Sequence, residues 1–168
     1  MSRKMFLAAA VGLLFAACGT SGLNPLVLDG HELHASLETQ QIDDGPRRHV
    51  PRAVLRDNPQ LSTDTEFVEA IARQGSQGQL GGEGIRAALY ALYRGKSEVG
   101  FYGFEAASTA DANRLEGLLR GIWAKNASLD RARVHRGGEV LVVVWNDGVS
   151  TSCWEAVNAV VAERLVAP

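Results

Sequence analysis

Two residue sets in this chain have the types and spacing to do chemistry. The first is a thiol. Cys153 follows Ser150-Thr151-Ser152 at the start of a predicted helix, and the dipole at a helix start lowers a thiol's pKa toward the nucleophilic thiolate. Nucleophilic catalysis also needs a base within hydrogen-bond reach. His135 is the candidate, on a predicted strand next to the strand that leads toward Cys153. Against that reading, Cys153 precedes Val157 and Val160 by four and seven residues. That phase suits a small apolar packing residue, and the spacing favours packing over catalysis.

The second set is Asp29, His31, Glu32 and His34, a compact group of ligand-type side chains. His31 and His34 lack the i, i+4 spacing of a His-Glu-x-x-His zinc helix. On a strand they point to opposite faces, because they differ by an odd number. His49 could complete a site only through tertiary contact. Solvated residues of a hairpin explain this group more simply. Gly75 to Gly84 is Gly-rich, but Gly82-Glu83 puts an acid where a phosphate-binding loop needs lysine. It reads as a flexible connection between helices. Asp147, Ser150 and Ser152 read as turn and cap residues, since no Gly-x-Ser-x-Gly elbow is present. Trp123, Trp145 and Trp154 read as core or core-edge residues. No catalytic set, metal set or cofactor is expected from these residues.

The other cysteine sits in a more specific context. Arg3 and Lys4 form a positive start, Met5 to Phe15 an unbroken small-and-apolar run, and Phe15-Ala16-Ala17-Cys18 follows. Such a run has signal-peptide length and falls short of the about 20 residues that a membrane-spanning helix needs. Phe15-Ala16-Ala17-Cys18 resembles the bacterial lipobox, with Phe15 where leucine is usual. The resemblance implies cleavage between Ala17 and Cys18, diacylglyceryl on the Cys18 thiol, and often a further acyl chain on the new amine. Two or three acyl chains suffice for stable anchoring, at about 0.8 kcal/mol per buried methylene. Gly19 stands where a retention aspartate would resemble an inner-membrane signal. For a host with two membranes, that resemblance points to the periplasmic leaflet of the outer membrane.

Composition narrows the partners. Cleavage removes Arg3 and Lys4, leaving 15 of 17 basic residues against 19 acidic ones, a net charge of about −4. That balance disfavours binding to nucleic-acid phosphates. With Cys18 lipidated, Cys153 has no intramolecular disulfide partner.

The elements that must position these residues follow from periodicity. Residues 18–25 read as a lipidated tether, 26–60 as a hairpin and loop segment, and 61–168 as the globular domain. Leu26 to Leu28 and His31 to Leu37 read as strands across an Asp29-Gly30 turn. Thr63 to Glu66 matches a capping box and opens a helix with Phe67, Ala70 and Ile71. Ile85, Ala88, Leu89, Leu92 and Tyr93 have the spacing of a core-facing helix, predicted over about 83–93. Glu98 to Glu105 reads as a strand, then a helix with Leu115, Leu119 and Ile122, then strands at 131–135 and 139–145 around Gly137-Gly138. A last helix spans about 152–166. The predicted fold is α+β: an antiparallel sheet with helices on one face, and a β-α-β-β-α order similar to a ferredoxin-like sandwich. That fold hosts unrelated activities and licenses none.

Val140 to Val144 is a run of five aliphatic residues without polar alternation, so this strand should be interior to the sheet. If one of its faces were open, an exposed aliphatic surface would mark a partner site. Together these readings predict a lipid-anchored envelope protein with a non-catalytic binding or structural domain that contacts another envelope protein. The alternatives are a thiol-dependent or hydrolytic enzyme using Cys153 and His135, and a metal- or small-ligand-binding protein using His31 and His34.

Overall fold

The computed structural model describes residues 21–41, 50–125 and 131–166. Within them lies an antiparallel six-stranded sheet with helices on both sides. Its spine is β3 (Ile85–Arg94), β4 (Glu98–Ala106) and β6 (Val140–Asp147), flanked by β5 (Ala132–Gly137). Two short strands, β1 (Glu38–Thr39) and β2 (Gln60–Ser62), pair with the outer side of β3. The helices are α1 (Gly30–Leu33), α2 (Thr65–Gly75), α3 (Thr109–Lys125) and α4 (Thr151–Val166). None of the helices among the described residues is long and apolar enough to cross a membrane.

The α+β architecture agrees with the sequence reading, and so does the order β4-α3-β5-β6-α4. β6 lies between β4 and β5 and is antiparallel to both. β4 and β5 therefore run the same way, joined by the α3 crossover. The distribution of helices differs from the reading that stacked them on one face. Phe67, Val68 and Ile71 of α2 and Leu115 and Leu119 of α3 cover the face carrying Tyr90, Tyr102, Phe104, Leu141 and Val143. Trp154, Val157 and Val161 of α4 cover the opposite face, which carries Leu89, Phe101, Val142 and Val144. The physical reason lies in β3, β4 and β6. Apolar on both faces, they need cover on two sides. β3 also takes the sheet position next to β4 by a direct hairpin, so the chain need not return to the sheet after α4.

β3 is itself a correction. Ile85, Ala88, Leu89, Leu92 and Tyr93 suggest a helical stripe, but residues 87 through 93 are all buried in the strand. A strand covered on both faces is apolar at every position and has no period of two. Some subset of its residues then matches helical spacing by chance. Gly82 and Gly84, at φ +103° and +75°, make the sharp entry that a helix would not need.

The N-terminal segment also departs from its reading as strands. Asn24–Leu26 is a 3₁₀ turn, and α1 is a single helical turn capped by Asp29. The Asp29 carboxylate accepts from the His31 amide at 3.1 Å, and Glu32 accepts from the Asp29 amide at 2.8 Å. The spacing Asp29-x-x-Glu32 is itself a capping-box signature, so this turn was legible in the sequence. For α2 the cap is Asp64, accepting from the Phe67 amide at 3.0 Å, one residue after the predicted Thr63.

Among the described residues, β5 is an open edge of the sheet. Arg133 pairs with Glu155 on α4, and Arg136 pairs with Glu116 on α3. The arginines thus bind the edge to helices on both faces, and charges along an edge strand discourage pairing with another chain.

Candidate functional site

Ala17 and Cys18, the predicted cleavage and lipid-attachment residues, lie outside the described residues, as do the rest of the signal-type segment and His49. What is described begins three residues after Cys18, and it is already docked. The Ser21 hydroxyl donates to Glu105 at 2.5 Å. Gly22 lies so close to Val140 that a Cβ there would meet its Cγ2 at 2.7 Å. Leu23 is 0 % exposed, seated over Gly103, where a side chain on β4 would collide with it. Leu26 and Leu28 are buried along the same face, and the Leu28 carbonyl accepts from the Tyr93 hydroxyl at 3.1 Å. Residues 21–25 are therefore part of the domain rather than free tether. Each buried leucine contributes about 1.5–3 kcal/mol, enough for three of them to hold the segment down.

Cys153 and His135 are turned to different partners. The Cys153 thiol is 2 % exposed and lies against the Ser36 hydroxyl. Burial pushes its pKa up, the opposite of an activated thiolate, with Ser36 as a smaller opposing influence. Ser150 rather than Ser152 caps α4, accepting from the Cys153 amide at 3.3 Å. His135 Nε2 bonds to Asn158 Oδ1 at 2.6 Å, while Asn158 Nδ2 donates to the Trp154 carbonyl at 2.8 Å. Since the amide nitrogen is already donating, His135 carries its proton on Nε2. Burial lowers the His135 pKa more than the Asn158 bond raises it, which favours the uncharged ring.

The contact that sequence reasoning missed joins the two candidate sets. Ser36 bridges Cys153 and His34, its hydroxyl 2.7 Å from His34 Nδ1. No motif marks a Ser36–Cys153 contact across more than a hundred residues. The His31 set does not converge. Asp29 and Glu32 are occupied in capping α1, and His34 is turned to Ser36. Among the described residues, no three His, Cys, Asp or Glu side chains are grouped as a metal site would require.

The Gly-rich stretch connects α2 to β3 instead of joining two helices. A strand follows it, so no helix N-terminus is available to receive a phosphate. Thr63, Glu69, Gly82 and Glu83 line a partly open pocket beside it. Asp147 lies 3.7 Å from Arg131 at the end of β6. Trp145 and Trp154 are buried, and Trp123 donates to the Gly75 carbonyl at 2.9 Å, clasping α3 to α2. No family model, curated protein or solved structure gives a match to this chain.

Proposed function

We propose that this chain is a lipid-anchored protein of the bacterial envelope whose domain binds or braces another envelope protein without catalysis. The observation that carries the reading is Phe15-Ala16-Ala17-Cys18 after a short apolar run and a basic start. The described part is compatible with it, since a small α+β domain begins to fold three residues after the cysteine. Cys153 and His135 engage Ser36 and Asn158 respectively, which weighs against the nucleophile–base pair on which the thiol-enzyme alternative depends. Both faces of the sheet are covered, so a partner would meet helices, turns or the strand edge. The outer membrane's periplasmic leaflet is the proposed location in a host with two membranes, because Gly19 follows the cysteine.

The test is metabolic labelling of the full chain with tagged palmitate. Wild type should incorporate label and migrate as the shortened mature form. Cys18→Ala should incorporate none and retain residues 1–17. Equal labelling of both proteins overturns the anchor. Cross-linking in intact cells then identifies the partner, and recovery of no envelope protein would overturn the binding role.

A further inference from the structure

We propose that the domain is held flush against the lipid surface in one orientation, with the sheet end that carries Ser21, Arg86, Glu105 and Glu139 facing the headgroups. This inference rests on the lipid anchor at Cys18 proposed above. Its new content is how the domain stands on the bilayer.

Covalent geometry sets the limit. Cys18 and Ser21 are three residues apart, and an extended chain spans at most about 3.6 Å per residue. The anchored cysteine is thus within about 11 Å of Ser21, however residues 19 and 20 are arranged. Ser21 is fastened to Glu105, Gly22 abuts Val140, and Leu23 is buried over Gly103. A tether running to Pro25 would allow the domain a far wider range of orientations than one that stops at Ser21.

The end so placed is well defined. Arg86 at the start of β3 pairs with Glu105 at the end of β4 at 3.1 Å and with Glu139 at the β5–β6 turn at 2.8 Å. The Thr109 hydroxyl, in the first turn of α3, donates to Glu139 at 3.4 Å. The last turn of α4 reaches the same end, where the Leu165 carbonyl lies against Gly137. Arg86 is thus matched by acids rather than forming a cationic patch. Tether length sets the contact, so it should not depend on anionic lipid. The β3–β4 turn, with Lys96, is at the other end of a ten-residue strand, about 30 Å away at 3.4 Å per residue. That distal end and the flanks are left to meet a protein partner.

The experiment uses the mature acylated protein, in a Cys153→Ala background, reconstituted into phosphatidylcholine vesicles with and without phosphatidylglycerol. A fluorophore is placed at Ala110→Cys, exposed in the first turn of α3, or at Lys96→Cys, exposed in the β3–β4 turn. Headgroup spin-labelled lipid should quench the Ala110 position several-fold more than the Lys96 position, equally in both vesicle types. Inserting a flexible Gly/Ser stretch between Thr20 and Ser21 should abolish that difference. Equal quenching at the two positions, with acyl chains on Cys18 confirmed by mass, overturns the orientation and leaves the anchor intact. A difference that survives the insertion overturns the role of the short tether. A difference that appears only with phosphatidylglycerol overturns its independence of lipid charge. Absence of acyl chains on Cys18 overturns both the orientation and the anchor.

Discussion

The two faces of the sheet are buried equally well by unequal means. Over Tyr90, Tyr102 and Leu141 lie two helices, α2 and α3, clasped together by Trp123. Over Leu89, Phe101 and Val142 lies one helix, α4, and beside it an irregular segment running from Leu23 to Leu37. On the first face, regular elements supply their own backbone hydrogen bonds. On the second, the part of the cover beside α4 is only as secure as its leucines and the caps of one helical turn. The difference teaches where this fold is fastened: the segment nearest the proposed anchor is also part of the core's roof.

The sharpest way to break the comparison is to charge one face at a time. Leu141 and Val142 are adjacent on β6, both 0 % exposed, and belong to opposite faces. Leu141→Asp and Val142→Asp should each abolish the folded state, because an unpaired buried carboxylate costs several kcal/mol against a total stability of about 5–15 kcal/mol. Circular dichroism and thermal melts check this. If Val142→Asp left a cooperative melt, the second face would be loosely covered rather than sealed.

A smaller effect separates a docked N-terminal segment from a draped one. Leu23→Ala and Leu119→Ala remove equally buried leucines from the two faces. Both should cost about 2–5 kcal/mol in denaturant unfolding. A loss at Leu23 below about 1 kcal/mol would mean that the cavity collapses because the segment moves freely. The same variant should speed amide exchange on the second face and leave α2 protected.

Cys153 lies on the second face, against Ser36. Cys153→Ser should cost about 1–3 kcal/mol for burying a hydroxyl in place of sulfur. Alkylation of the native thiol should be slow at neutral pH and fast only in denaturant. Rapid labelling of the native protein would show that the segment carrying Ser36 opens readily.

The smallest expected effect is a pH dependence from His135. Its folded pKa lies below the ordinary value of about 6.5, chiefly through burial. The unfolded chain therefore takes up the proton first. Any stability that neutral His135 contributes is present above about pH 6.5 and is lost as pH falls toward the folded pKa. Arg133 and Arg120 act in the same direction as burial. Replacing His135 with Gln should flatten the stability curve below pH 6.5, measured by melts at stepped pH. An unchanged slope would assign the acid sensitivity elsewhere.

The C-terminal part was the most legible region. β4, α3, β6 and α4 lie within a few residues of their predicted bounds, and Ser108 caps α3 by accepting from the Asp111 amide. The polar and apolar positions of α3 alternate at helical spacing because only one side of it is buried. β3 was misread for the complementary reason: residues buried on every side carry no phase. The candidate sites were legible as residue types but not as neighbours. His34, Ser36 and Cys153 meet only because the N-terminal segment runs along the face that α4 covers.

By itself, the sequence determined what depends on nearby residues: the apolar run before Cys18, the helices that bury one side, the start of α2 to within one residue, and the interior place of β6. Tertiary structure alone decided which elements cover which face, that β3 is a strand, and that the chain is fastened from Ser21 onward. The physical reason is the range of the forces. Caps, turns and helical stripes act over about three or four residues. The cover of a two-faced sheet is set by whichever distant segment excludes water from it, and Leu23 over Gly103 is such a contact.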